Sequence, residues 1–184
     1  MRLVKVLLVC LAFLGTTGFS LIDYSPTKIK GALPPGAGVI IVSTGAPRTC
    51  FMQEMYLKVA AVTNRWSWNQ GMAIPIDVML IKSDYPDHHG TLSAKVLKAG
   101  EFEVYASFAG GTESTPRYTF TVAPGEVVYL GEYWLGDSCS NETYGAFRDQ
   151  RARDIELLKR MNPTLAGANI VTRLPTRSGV KRSL

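Results

Sequence analysis

Histidine is almost missing from this chain: there are two in 184 residues, and they are neighbours, His88 and His89. A general base for acid–base chemistry therefore has few places to come from. Gly-x-Ser-x-Gly and His-Glu-x-x-His do not occur. The three cysteines, Cys10, Cys50 and Cys139, stand too far apart for a paired-cysteine redox or zinc motif. Gly36-Ala37-Gly38 opens no phosphate loop, because the third glycine, the Lys-Ser/Thr pair and a following helix pattern are absent. There is no internal repeat and no persistent heptad. These absences argue against an enzyme, and no cofactor is expected.

What is present begins with the N-terminus. Met1 to Lys5 is short and positive, Val6 to Leu14 is unbroken apolar sequence, and Gly15 to Ser20 is rich in small residues. That order is the pattern of a secretory signal peptide over 1–20, with Gly18 and Ser20 at the −3 and −1 cleavage positions. Nine apolar residues rise about 14 Å as a helix, against roughly 30 Å of hydrocarbon, so no transmembrane span is expected once the leader is removed. A lipoprotein leader would carry a cysteine where Phe19 stands, and Cys10 follows the branched Val9. Lipid anchoring is therefore unsupported, and the expected location is the periplasm or cell envelope. About 164 residues remain, enough for one domain. In an oxidising compartment Cys50 and Cys139 are expected to form a disulfide.

The net charge of +5 is misleading. Arg2 and Lys5 belong to the leader, and Arg173, Arg177, Lys181 and Arg182 crowd the last twelve residues without an acid. Residues 21–172 are nearly neutral, so a nucleic-acid partner is not expected. Residues 173–184 read as a basic, disordered tail.

Between these ends the sequence is strand-like. After an extended lead-in over 21–35, ending in Pro34-Pro35-Gly36, comes the β-branched run Val39 to Val42. Apolar residues then alternate at Leu57/Val59/Ala61, Ile76/Val78/Leu80, Leu92/Ala94/Val96, Phe102/Val104/Ala106 and Tyr118/Phe120/Val122. A period of two means one buried and one wetted face. Lys98 to Glu101 reads as a tight hairpin, and Ala123-Pro124-Gly125-Glu126 as a type II turn. Val127 to Tyr133 is apolar and β-prone, broken at Gly131. The spacing predicts a mostly β fold: a two-sheet immunoglobulin-like or transthyretin-like sandwich over 36–172. One helix is predicted over about 150–161, capped by Asp149, striped by Ile155, Leu158 and Met161 with Leu157 beside them, and stopped by Pro163. It should lie across an edge or open end of the sandwich.

Leu97-Lys98-Ala99-Gly100-Glu101-Phe102-Glu103-Val104-Tyr105 and Phe120-Thr121-Val122-Ala123-Pro124-Gly125-Glu126-Val127-Val128-Tyr129-Leu130-Gly131, with the helix from Arg153-Asp154 to Pro163, carry a resemblance. Over roughly residues 90–165 the chain resembles uncharacterised bacterial secreted or envelope β-sandwich proteins. It departs from their pattern at Lys98, where proline is common, and in lacking the lipobox cysteine. The resemblance implies a fold and an envelope setting. It implies no chemistry.

Two candidate sites follow from the residues. Asp87-His88-His89, with Asp84, could hold zinc or copper, and Met52, Met55, Met72 and Met79 could add soft ligands. Adjacent histidines on extended chain point apart, however, and Tyr85 to Gly90 reads as a solvated turn. Trp66 and Trp68, beside Asn64 and Arg65, could stack on a sugar, or else cap the sandwich. Trp134 reads as core or rim. Glu101, Glu103 and Glu126 read as carboxylates of a solvated strand face, and Asn141-Glu142-Thr143 as a coincidental glycosylation match. The expected function is that of a non-enzymatic exported envelope protein acting through protein–protein contacts, with another envelope protein as partner. The alternatives are a carbohydrate-binding module at Trp66 and Trp68 and a metal binder at His88 and His89.

Overall fold

The computed structural model describes residues 24–48, 50, 55–63, 72–77, 82–108, 115–136 and 145–178. The predicted leader, Met52, Asn64, Arg65, Trp66, Trp68, Val78 to Leu80, Cys139, Asn141 to Thr143 and residues 179–184 lie outside them.

The fold is a sandwich of two sheets with a helix near its C-terminus. The first sheet has the order β4 (Leu92–Lys98), β1 (Ala37–Gly45), β7 (Val127–Trp134), β8 (Ala146–Arg148), with β9 (Ile170–Thr172) also paired to β7. The second runs β10 (Thr176–Arg177), β6 (Tyr118–Val122), β5 (Gly100–Phe108), β2 (Met55–Ala61), β3 (Met72–Asp77). In the second sheet the predicted alternation is what the chain uses. Leu57, Val59, Ile74, Ile76, Phe102, Val104, Phe120 and Val122 point into the core shared by the sheets. Met55 and Met72 lie there too, where their flexible side chains fill space.

The first sheet does not alternate, because both its faces are covered. Ile40, Val42, Val128 and Leu130 join the core between the sheets. Val39, Ile41, Val127 and Tyr129 face the other way, against Leu158, Leu165 and Ile170. A strand buried on two sides reads as a continuous apolar run, which accounts for Val39 to Val42. The helix, Arg151–Met161, therefore lies on the outer face of the first sheet and not across an edge or open end as predicted. Leu158 is fully buried, and Ile155, Leu157 and Met161 are partly so. Gln150 occupies the cap position, while the Asp149 carboxylate accepts the Arg151 amide at 2.8 Å. Pro163 ends this helix and opens a short second one, Pro163–Ala166, capped by Asn162. The Asn162 amide also donates to the carbonyls of Pro26 and Ile29, each at 2.9 Å, and so ties down the lead-in.

Two further expectations are corrected. Lys98 to Glu101 is not a hairpin: β4 pairs with β1 and β5 with β2 and β6, so the chain crosses there from one sheet to the other. Leu97 and Phe102 flank the crossing and both enter the shared core, one from each sheet. Nor are residues 173–178 part of a disordered tail. β9 runs parallel to β7, and β10 then pairs with β6 in the opposite sheet. Between them Arg173 donates to the Glu126 carboxylate at 2.7 and 2.8 Å and to the Thr121 carbonyl at 2.7 Å. Basic residues suggested solvation, but here one of them stitches the two sheets together. Ala123 to Glu126 is the predicted turn, with Gly125 at φ 74° and the Glu126 amide 3.2 Å from the Ala123 carbonyl.

Gly131 places the polar site. Ile41 lies opposite Tyr129, but Ser43 lies opposite Glu132, so two steps on β1 match three on β7. This bulge shifts the alternation by one residue. Without it Glu132 would point into the core with Val128 and Leu130. With it Glu132 joins Ser43 and Tyr129 on the helix side, and Tyr133 takes the core position. Gly131 has φ 92°, and a Cβ there would come within 2.8 Å of the Arg148 carbonyl oxygen. Gly131→Ala should cost about 3 kcal/mol through strain plus clash. Gly125→Ala, also left-handed but with no atom near the added Cβ, should cost about 1–2 kcal/mol. Urea midpoints of the two variants check the order.

Candidate functional site

Two fully buried carboxylates, Glu132 and Asp154, lie between the first sheet and the helix. Glu132 is delivered by the bulged end of β7, and Asp154 by the first turn of the helix, one turn before the core residue Leu158. The segment 83–90 closes the site from the side. The Ser83 hydroxyl lies within bonding range of the carbonyls of Tyr85, His88 and Gly90, at 3.1, 2.8 and 3.0 Å. The Asp84 carboxylate accepts the Leu92 amide at 2.8 Å, and the backbones of His89 and Ala46 bond each other. This winding turns Tyr85 and His88 inward, each only 4% exposed. The expectation of a solvated turn is therefore wrong for these two rings.

Asp154 is an acceptor surrounded by donors. Its Oδ2 accepts the hydroxyls of Ser43 at 2.5 Å and Tyr129 at 2.6 Å. Its Oδ1 accepts Tyr85 Oη at 2.9 Å and the Arg153 Nε and guanidinium nitrogen at 2.9 and 2.8 Å. Glu132 Oε1 accepts Arg153 at 2.8 Å and lies 3.2 Å from His88 Nε2, and its Oε2 accepts Arg148 Nε. His88 Nε2 makes no aligned hydrogen bond there. The other ring nitrogen, Nδ1, lies 2.8 Å from the exposed carboxylate of Asp87.

Stacked rings carry the cluster to the surface. The Arg153 guanidinium lies 4.2 Å over Tyr85, Tyr85 stacks on His88 at 4.5 Å, His88 meets Trp134 edge-on at 5.5 Å, and Arg148 lies 3.9 Å over Trp134. Both ends are therefore cation–π pairs whose cations also hold Glu132.

The protonation states follow from these contacts. Burial would raise the Glu132 pKa, but His88, Arg153 and Arg148 outweigh it and hold it at about 2. Burial, reinforced by the Asp154 charge, raises the Tyr85 and Tyr129 hydroxyls far above their ordinary range, so both remain donors. Burial would weaken the Arg153 cation, but the Asp154 charge beside it more than compensates. The contact to His88 also lowers the Asp87 carboxyl.

The arrangement can hold charge, and each oxygen of Asp154 and Glu132 already has a donor. The candidate metal ligands are not brought together: both ring nitrogens of His88 face carboxylates, and His89 enters through its backbone. Among the described residues no group of three or more His, Cys, Asp or Glu is placed to hold a metal. Glu103 is not a solvated carboxylate but a buried one, paired with Arg117 at 2.7 Å. Glu101 is exposed as expected. Trp134 is half-buried at the rim. Sequence reasoning missed Asp154 and Glu132, although both carried a signal. Asp154 falls on the stripe with Leu158, and Glu132 interrupts an otherwise apolar strand. Compared with known protein families, curated proteins and solved structures, the chain matches none.

A group whose pKa is lowered on folding stabilises above its unfolded value and loses that contribution as pH falls. For Glu132 the window runs from an unfolded value of about 4.3 down to about 2. Wild type should lose about 3 kcal/mol across it through this group. Glu132→Gln should start less stable and show a flatter slope there, measured by urea denaturation at each pH. Asp154→Ala should cost about 3–5 kcal/mol, because it leaves buried donors unpaired.

Proposed function

We propose that this chain is an exported, non-enzymatic β-sandwich protein of the bacterial envelope that works by contact with another envelope protein. One observation carries the reading. In the buried polar cluster both carboxylates are satisfied, with Ser43, Tyr85, Tyr129, Arg148 and Arg153 all donating to Asp154 or Glu132. A catalytic site needs a group left over for substrate. The leader pattern over 1–20 and the resemblance to secreted envelope sandwiches support the setting. Among the described residues no helix is long and apolar enough to cross a membrane.

Photo-crosslinking in intact cells, followed by affinity capture, should recover one recurring envelope protein. A monodisperse monomer that captures nothing, or a captured set that changes from one preparation to the next, would overturn the reading. A tryptophan fluorescence shift with cell-wall glycan, lost on Trp66→Ala with Trp68→Ala, would replace it with the carbohydrate reading. N-terminal sequencing of exported protein should begin at Leu21.

The oxidising setting also carries the pairing of Cys50 with Cys139. Cys50 is fully buried in the core between the sheets, where a bridge would be shielded from reductant. Alkylation under denaturing, non-reducing conditions should label neither residue. Cys50→Ser should lower stability by about 4–5 kcal/mol in the chain-entropy account.

A further inference from the structure

We propose that the groove between the lead-in and the end of the helix is a binding site for a single aliphatic chain with an anionic head, such as a free fatty acid. The inference goes beyond the protein-contact reading and does not depend on it. The outer face of the first sheet is covered from two sides, by the lead-in and by the helix pair Arg151–Met161 and Pro163–Ala166. Asn162 joins the two covers through the carbonyls of Pro26 and Ile29. The lead-in then bends at Gly31, where φ is 75°. Between the covers lies a groove of about 560 Å³, within the size range of small-molecule sites.

The groove is lined mainly by aliphatic side chains. Val39, Val127 and Leu165, from the core beneath the helix, form its floor. Ile29 and Leu33 stand on one side, Met161 and Ala168 on the other, and each of these four is only half-buried. Apolar surface left in water costs free energy in proportion to its area, and a methylene chain laid along it removes that cost. Among the described residues no aromatic ring lines the groove, so a sugar or a nucleobase finds no face to stack on.

The polar groups select the head. Lys30 is the one charge among the described lining residues, and it is exposed. Thr27 and Thr164 add hydroxyls. The Asn162 side chain is occupied, with its nitrogen on the Pro26 and Ile29 carbonyls and its oxygen accepting the Leu165 amide at 3.0 Å. Glu126, next to the lining residue Gly125, is turned to Arg173 at 2.7 and 2.8 Å. Lys159 and Arg160, in the last turn of the helix, offset the negative end of its dipole, which would otherwise oppose an anion there. The charge balance therefore favours a carboxylate or phosphate on the tail over an ammonium. Because the walls come from opposite ends of the folded chain, a bound tail also ties the lead-in to the C-terminal helices.

Titration of the full chain with dodecanoate at neutral pH, below the concentration at which it forms micelles and followed by methyl NMR, tests this. Shifts should be confined to Ile29, Leu33, Val127, Met161, Leu165 and Ala168, while the methyls of Leu57, Val59 and Val104 in the core between the sheets stay in place. Dodecyltrimethylammonium, with the same tail and a cationic head, should bind about threefold more weakly or worse. Lys30→Glu should weaken dodecanoate about fivefold, and Ala168→Trp, which fills the groove, should abolish saturable binding. Shifts spread over both sheets, equal binding of the two heads, or wild-type affinity in either variant would overturn the proposal. So would association with phosphatidylglycerol vesicles without any shift from monomeric dodecanoate, which marks contact with a membrane surface and not a site for one chain. Should Ala168→Trp not fold, Lys30→Glu, at an exposed position, and the comparison of heads decide.

Discussion

A carboxylate withdrawn from water must have a donor for each oxygen or it will not stay ionised. Much of the architecture meets that requirement for Asp154 and Glu132. The apolar stripe of the helix could bury about the same area if it slid along the sheet, because hydrophobic contact has no direction. Asp154 removes that freedom: its bonds to Ser43, Tyr85 and Tyr129 are each specific to one atom. The net stabilisation from a buried ionic cluster is small, and one registration of helix on sheet is its better-supported consequence.

The same constraint reaches into backbone geometry. Glu132 reaches the helix side only through the bulge at Gly131, and the bulge is possible only because that residue carries no side chain. Segment 83–90 is wound by Ser83 and bridged to Ala46, so that Tyr85 and His88 can complete the donor set. Arg148 and Arg153 leave the cluster along the faces of Trp134 and Tyr85, which keep their cations near the carboxylates while one side of each remains in water.

Chain order adds a second coupling. β4 and β5 lie in different sheets, as do β6 and β7, and β9 and β10. Neither sheet can be completed without the other, and β1 finds its parallel partner β7 only after most of the second sheet has been traced. Contacts of such long sequence separation make folding slow. The last crossing is pinned by Arg173 on Glu126, so an arginine that looked like part of a loose tail closes the sandwich.

The sequence by itself determined the class of fold, the inward faces of β2, β5 and β6, the turn at Gly125 and the helix from Arg151. Each of these rests on near-neighbour periodicity or on backbone preference, which a single chain displays openly. Tertiary structure alone decided that the first sheet would be covered twice, that Lys98 to Glu101 would cross between sheets, and that His88 would be buried between Asp87 and Glu132. Ser43, Tyr85, Tyr129, Glu132 and Asp154 are spread over more than a hundred residues, and nothing local marks them as partners. They meet because desolvation makes an unpaired buried charge costly, and that cost exists only after the chain has folded around it.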